Sequence, residues 1–75
     1  MINPRQMRMA RAALGWGVRD LGAKTDLVPG TITRIENGKD ALGASLRKIE
    51  QAFSEAGIDF PDEFTVSFRR MADKS

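Results

Sequence analysis

Hydrophobic spacing in the region 17–38 constrains this chain more than any other feature of its sequence. Two short helical patterns lie there on either side of a break of about four residues, which is the spacing of a helix-turn-helix. At roughly 100° per residue, the second pattern brings Val28, Ile32 and Ile35 into one narrow arc. We therefore predict a helix over 29–37 that buries its branched residues and presents to solvent Pro29, Gly30, Thr33, Arg34 and Asn37.

The outward side of this predicted helix suits contact with a nucleic acid. Its small side chains would let the helix enter a groove of the duplex, and Arg34 carries a guanidinium that can reach a guanine edge or a phosphate. Lys39 and the exposed backbone amides near it are candidate phosphate anchors. Taken alone, Thr33, Arg34 or Lys39 would equally suit a solvated helix end, and it is the surrounding sequence that favours DNA.

The run TITRIENGK at 31–39, preceded by a segment containing DLGAK, resembles the DNA-binding domain of the lambda-repressor and Cro type, also called the XRE family. The resemblance covers residues 5–56. It implies a compact helical bundle whose helix 29–37 lies in the major groove of operator DNA. It also implies that Arg11 pairs with the glutamate that ends this helix, and we favour that structural pair over an Arg11 that only contacts DNA. The residues that carry the resemblance are Thr31, Ile32, Arg34, Ile35, Glu36, Asn37 and Gly38.

Several positions depart from the pattern of that family. Val18 stands where its members usually carry a glutamine that braces backbone and base contacts. Val28 lacks the oxygen that would cap the next helix, so this helix start depends on Pro29 at the first helical position. Asp26 replaces a glycine and is expected to adopt a left-handed conformation. Gly22 is expected to allow close approach of the third helix.

Charge is distributed unevenly along the chain. Residues 1–39 hold seven basic and three acidic side chains, a net charge of +4, whereas residues 40–68 hold two and six, a net charge of −4. The segment from Arg69 to the end adds +2. The basic part coincides with the predicted helix-turn-helix, as a phosphate-facing surface requires. An ordinary solvated surface with a chance asymmetry is the alternative.

Composition narrows the function classes. The 75 residues include no cysteine and no histidine, which removes disulfides, thiolate metal sites and the commonest general base. No apolar run approaches the length of a membrane span, and the N-terminal segment lacks the apolar core of a signal peptide. We therefore expect one cytoplasmic domain that is not an enzyme, with no catalytic residues, cofactor, metal, membrane contact or small-molecule substrate.

The first and fourth helices are predicted to complete the bundle. Asn3, Pro4 and Gln6 indicate an N-cap, a first helical residue and its capping partner, and this helix should end at Gly15. Its core face is expected to hold Met7, Ala10 and Leu14, with Arg5 and Arg8 outward as solubility residues. Trp16 is expected to pack across the ends of the first two helices. A later helix should end near Ala56 or Gly57, with an apolar stripe of Leu46, Ile49, Ala52, Phe53 and Ala56.

The hydrophobic period changes to two from residue 58 onward, which predicts a β-hairpin over 58–70. Two strands alone are marginal in water. Either the hairpin packs its phenylalanines on the bundle, or its free edge pairs with a second copy, and we favour the pairing. Residues 71–75 are expected to form a disordered tail. The predicted fold is thus mainly α, a lambda-repressor-like bundle of four helices in residues 1–57 with a small C-terminal β-hairpin or strand.

The sequence predicts a sequence-specific DNA-binding transcriptional regulator, most simply a repressor and a homodimer through the C-terminal strand. A protein-interaction module on the same fold that does not bind DNA is the alternative, because Val18 and Val28 stand at positions that are usually polar. The predicted DNA-contacting residues are Arg11, Val18, Arg19, Pro29, Gly30, Thr31, Thr33, Arg34, Asn37 and Lys39.

Overall fold

The computed structural model describes residues 2–69, which form four α-helices followed by a small antiparallel sheet. This confirms the predicted mainly helical bundle with a C-terminal hairpin. The predicted tail at 71–75, and Arg70 at the end of the predicted hairpin, lie outside the described residues. The elements are α1 (Pro4–Leu14), α2 (Val18–Thr25), α3 (Pro29–Glu36), α4 (Gly43–Glu55), β1 (Ile58–Asp59) and β2 (Ser67–Phe68).

Helix α1 begins and ends where its sequence predicts. The Asn3 side chain accepts a hydrogen bond from the backbone N–H of Gln6 at 2.8 Å, and the Gln6 side chain accepts one from the N–H of Asn3 at 3.2 Å. This reciprocal capping box satisfies two N–H groups that have no partner within the helix. At the other end Gly15 adopts a left-handed conformation, with φ of 72°, that stops the helix.

The core lies where the four helices and β1 meet. Met7 and Ala10 of α1 are buried as predicted, while Leu14 is half-buried against the core. Trp16 stacks on Phe53 of α4, with ring centroids 5.8 Å apart, and does not simply bridge the ends of α1 and α2. The buried apolar residues are Ile2, Met7, Ala10, Leu21, Ile32, Ile35, Ile49, Ala52, Phe53 and Ile58.

The prediction that Val28 is buried is wrong. Val28 is 65% exposed and precedes α3 in an extended conformation, with φ of −71° and ψ of 146°. The helical phase that buries Ile32 and Ile35 therefore does not extend back to it. Its position before Pro29 disfavours helical backbone, which places the boundary of α3 between these two residues.

The turn between α2 and α3 depends on two residues. Asp26 adopts the predicted left-handed conformation, with φ of 62°. At Gly22, an added Cβ would lie 2.7 Å from the carbonyl oxygen of Leu27 but 3.7 Å from the nearest atoms of Pro29 and Ile32. The close approach at Gly22 therefore comes from the turn and not, as expected, from the third helix.

The hairpin packs on the bundle of its own chain. Ile58 pairs with Phe68 and Asp59 with Ser67. Each strand has only two residues, fewer than the predicted alternation suggests, because the segment between them folds against α1. Ile58 is buried, and the ring of Phe60 meets Phe53 edge to face with centroids 6.0 Å apart.

Gln6 connects α1 to the loop of the hairpin, although it lies 56 residues from Asp62 in the sequence. Its amide nitrogen donates to the carbonyl oxygens of Asp62 at 2.6 Å and Thr65 at 3.0 Å, and Gln6 is 2% exposed. The local sequence around Gln6 predicts only its capping role.

Across residues 2–69, every helix is too short or too polar to cross a membrane.

Candidate nucleic-acid interface

Helix α3 divides into a buried side and an exposed side. Ile32 and Ile35 are 0% and 4% exposed and pack into the core. The opposite side presents to solvent Pro29, Gly30, Thr33 and Arg34, while Thr31 is half-buried at the edge. The predicted orientation of α3 is therefore confirmed for these residues. The exposed side combines small side chains with one guanidinium.

The C-terminal end of α3 closes with a Schellman motif. Gly38 has φ of 86°, and its N–H donates to the carbonyl of Ile35 at 3.0 Å. The N–H of Lys39 donates to the carbonyl of Arg34, also at 3.0 Å. The N–H of Asn37 also donates within the helix end, so these three amides near Lys39 are not free to bind a phosphate. The side chains of Asn37 and Lys39 remain exposed.

Arg11 and Glu36 form the predicted structural pair between α1 and α3. Arg11 Nε donates to Glu36 Oε2 at 2.7 Å and Nη2 donates to Oε1 at 2.8 Å, which is a bidentate geometry. Arg11 Nη1 also donates to the carbonyl oxygen of Trp16 at 3.1 Å. The hydrogen bonds to Glu36 raise the pKa of Arg11 above its ordinary value. The pair thereby fixes the last turn of α3 against α1.

Arg8 is not the plain solubility residue that the sequence suggests. Its Nη1 donates to the backbone carbonyl oxygen of Glu36, the last residue of α3. Arg8 and Arg11 are three residues apart, so they lie on the same side of α1. That spacing is the signal by which the second contact could have been found. Both arginines thus hold the end of α3.

Helix α2 contributes two of the predicted contact residues, and they differ in placement. Arg19 is exposed, whereas Val18 is half-buried and packs against the core. The N–H of Gly17 donates to Asp20 Oδ2 at 2.8 Å, so the carboxylate of Asp20 supports the helix start in place of a polar cap at Gly17. Arg19 is therefore the side chain of this helix end that is available to a phosphate.

Arg19, Arg34 and Lys39 have no acidic ion-pair partner in the part of the chain that the structure describes. Its two ion pairs join Arg11 to Glu36 and Arg69 to Asp59. Arg19, Arg34 and Lys39 belong to neither, and their exposed charges face solvent. An unneutralised cationic surface around a slender helix can attract a polyanion. We define this surface as the α3 face: Arg19, Pro29, Gly30, Thr31, Thr33, Arg34, Asn37 and Lys39.

The chain matches no protein-family profile, and no curated protein matches it. Within residues 2–69, no group of three or more acidic side chains is arranged to hold a metal ion. The functional proposal therefore depends on the geometry and charge of the chain itself.

Proposed function

We propose that this chain is a sequence-specific DNA-binding regulator that inserts α3 into the major groove. The observation that supports the proposal is the division of α3, with Ile32 and Ile35 buried and Arg34 exposed among small residues. An α-helix fits the major groove, where each base pair presents a distinct pattern of donors and acceptors. The family resemblance of residues 31–39 points to the same function.

The residues of the α3 face would divide the work of binding. Pro29 and Gly30 lie at the N-terminal end of α3, where a recognition helix comes closest to the bases. An added Cβ on Gly30 would meet nothing within 4 Å, so packing within the chain does not require glycine there. Thr33 and Arg34 would contact base edges. Phosphate contacts, which set the position of the protein on the duplex, would come from the side chains of Arg19, Asn37 and Lys39.

Arg11 and Arg8 would act as positioning residues in this mechanism. Arg11 commits three of its five N–H donors to Glu36 and Trp16, which fixes the guanidinium in place between α1 and α3. Its role is to hold the end of α3 at a fixed angle to α1. A rigid recognition helix avoids the entropic cost of ordering on the DNA, which preserves affinity.

Repression by occupying a promoter is the simplest regulatory outcome of this mechanism. We also propose that the protein acts in the cytoplasm. A homodimer formed through the C-terminal hairpin would present two α3 helices to a palindromic site. Two-fold protein symmetry then matches the symmetry of the operator.

Fluorescence anisotropy with labelled genomic fragments tests the proposal. Arg34→Glu should weaken binding at least about tenfold, because it replaces an attractive contact with a repulsive one. Lys48→Glu is the matched control: it makes the same charge change on α4, beside the C-terminal end of α2. The proposal fails if both variants weaken binding equally or if the parent chain does not bind DNA at low salt.

The α3 face also predicts how salt acts on binding. Lys39→Ala should reduce the slope of log K against log [salt] by about 0.9, the value of one phosphate contact, at every sequence tested. Arg34→Ala should instead reduce the preference for the selected site over random DNA. Equal changes in slope and in preference for both variants would contradict this division of roles.

A second candidate is a protein-interaction module on the same fold. The observation that favours it is Val28, an exposed valine at the position that caps α3. An apolar side chain there gives no hydrogen bond to a phosphate or to the helix start. Absence of DNA binding even at low salt, where non-specific contacts are strongest, would favour this candidate over the regulator.

A further inference from the structure

The loop of the hairpin holds an exposed aromatic ring in a fixed position. Phe64 is 72% exposed, yet the turn that carries it is held by side-chain hydrogen bonds. The Phe64 N–H donates to Asp62 Oδ1 at 2.8 Å, and the Thr65 hydroxyl donates to the same oxygen at 2.9 Å. The exposure of Phe64 is therefore a property of an ordered turn and not of a loose loop.

Helix α1 anchors this turn through three backbone carbonyls. Gln6 donates to the carbonyl oxygens of Asp62 and Thr65, and Asn3 Nδ2 donates to that of Glu63 at 2.9 Å. A ring displayed on such a fixed support loses little conformational entropy when it is covered. Exposed aromatic residues of this kind are the usual anchors of protein interfaces.

Beside Phe64 lies a groove of about 360 Å³ between the turn and the first two turns of α1. Phe and Arg are enriched in protein interfaces, and no lysine lines this groove. Arg8 is held by the carbonyl of Glu36, whereas Arg5 and Glu63 have no ion-pair partner within residues 2–69. The lining residues are Asn3, Pro4, Arg5, Arg8, Glu63 and Phe64.

The mixed charges of the groove favour a second copy of this chain over DNA as the partner that binds there. The groove is unsuited to the phosphate backbone of DNA, because the Glu63 carboxylate in its lining would repel a phosphate. A contact between two identical surfaces related by a two-fold axis must be self-complementary, and a patch that holds both signs of charge, a projecting side chain and a recess meets this condition. The groove has Arg5, Glu63, the ring of Phe64 and the space beside it.

We propose that a second copy of this chain docks on this groove, each Phe64 ring entering the groove of the other and each Arg5 meeting the partner's Glu63. The inference deepens the proposed dimer and places its contact at the hairpin turn instead of the strand edge. Within residues 2–69, the strand edge at β2 spans two residues. Arg8 joins the groove to the end of α3, so the same contact would fix the separation of the two α3 helices.

Sedimentation equilibrium without DNA tests this contact, so its failure is distinguishable from a failure of DNA binding. The parent chain should dimerise with a micromolar dissociation constant, because a contact of this size is small. Phe64→Asp should raise that constant at least about tenfold. Phe68→Asp is the matched control, since Phe68 is also exposed (58%) and lies on β2. A monomeric parent, or greater dissociation by Phe68→Asp than by Phe64→Asp, would overturn the proposal.

Exchanging the charges of Arg5 and Glu63 gives a second and more specific test of the contact. Arg5→Glu and Glu63→Arg should each weaken dimerisation, because each variant opposes like charges across the two-fold axis. Mixing the two variants should restore a heterodimer, in which every crossing pair has opposite signs. Both variants should keep the parent's helical circular dichroism, since the carbonyl of Glu63, and not its side chain, bonds Asn3. Failure of the mixture to associate while the parent does would overturn the two-fold pairing.

Discussion

The guanidinium of Arg11 and the carboxylate of Glu36 form two hydrogen bonds, of 2.7 and 2.8 Å, that join α1 to the last turn of α3. Glu36 is 6% exposed, so its charge is almost completely removed from water. A charge in this position is tolerated only because a bidentate partner compensates it. The helix with the exposed arginine is thus held at one end by a buried ion pair.

Removing one partner of this pair should destabilise the chain more than removing both. Arg11→Met leaves the Glu36 carboxylate buried without compensation and should lower the free energy of unfolding by about 3 kcal/mol. The double variant Arg11→Met with Glu36→Leu should recover most of that loss, because it places two apolar side chains in a largely apolar environment. Urea denaturation followed by circular dichroism measures both values. Additive losses in the double variant would show that the two side chains are not coupled.

The amide of Gln6 should contribute more to stability than an ordinary helix residue. Gln6→Met preserves side-chain length but removes the donors to Asp62 and Thr65 and the acceptor of the Asn3 N–H, and it should cost about 1–3 kcal/mol of unfolding free energy. Gln51→Met is the control, because Gln51 is exposed and bonds only Glu55 of its own helix. The control should stay within about 0.5 kcal/mol of the parent in urea denaturation. Equal effects of the two variants would mean that the side-chain hydrogen bonds of Gln6 add no stability beyond that of an exposed glutamine.

Local signals in the sequence predicted the ends of the helices well. The capping residues of α1 and the left-handed glycines at Gly15 and Gly38 act within a few residues of their own position. The helix ends that they determine can therefore be predicted from the local sequence. The sequence pattern misplaces Val28 because its helical phase continues one residue before Pro29, where α3 begins. The burial of Ile32 and Ile35 was correct because both lie inside the helix.

Contacts between distant residues could not be predicted in the same way. Gln6 meets Asp62 across 56 residues, and Arg8 meets Glu36 across 28. Both bonds end on backbone carbonyls, which every residue possesses, so the sequence does not mark the acceptor; for Arg8 the only signal is its spacing from Arg11 on one side of α1. Arg11 and Glu36 differ because both are charged side chains, and a family resemblance pointed to their pairing. For the α3 face, the sequence indicated which side chains are exposed, while its DNA contacts stay a prediction.

Acid should loosen the turn that displays Phe64. Hydrogen bonds from the Phe64 N–H and the Thr65 hydroxyl lower the pKa of the Asp62 carboxylate below its ordinary value. The stabilisation is therefore present above the ordinary aspartate pKa and is lost as the pH falls through the lowered pKa of the folded chain. The amide resonance of Phe64 in NMR spectra should shift as this group is protonated, at a pH below the ordinary aspartate pKa.

Asp62→Asn provides the control for that titration. Its amide oxygen still accepts both hydrogen bonds but does not titrate, so the acid-dependent shift of the Phe64 resonance should disappear. A shift that persists unchanged in the variant would assign the titration to another carboxylate.

Gly30 should separate the requirements of folding from those of DNA binding. Glycine within a helix costs about 1 kcal/mol relative to alanine, and the space around Gly30 is open. Gly30→Ala and Gly30→Leu should therefore both raise the free energy of unfolding, by up to about 1 kcal/mol. The proposed function predicts the opposite order for DNA, because a leucine at this end of α3 would stand between the helix and the bases. Gly30→Leu should then weaken binding at least about tenfold, whereas Gly30→Ala should have a much smaller effect. Urea denaturation and anisotropy on the same three proteins measure the two quantities. A leucine variant that is more stable and binds DNA as well as the parent would remove the N-terminal end of α3 from the interface.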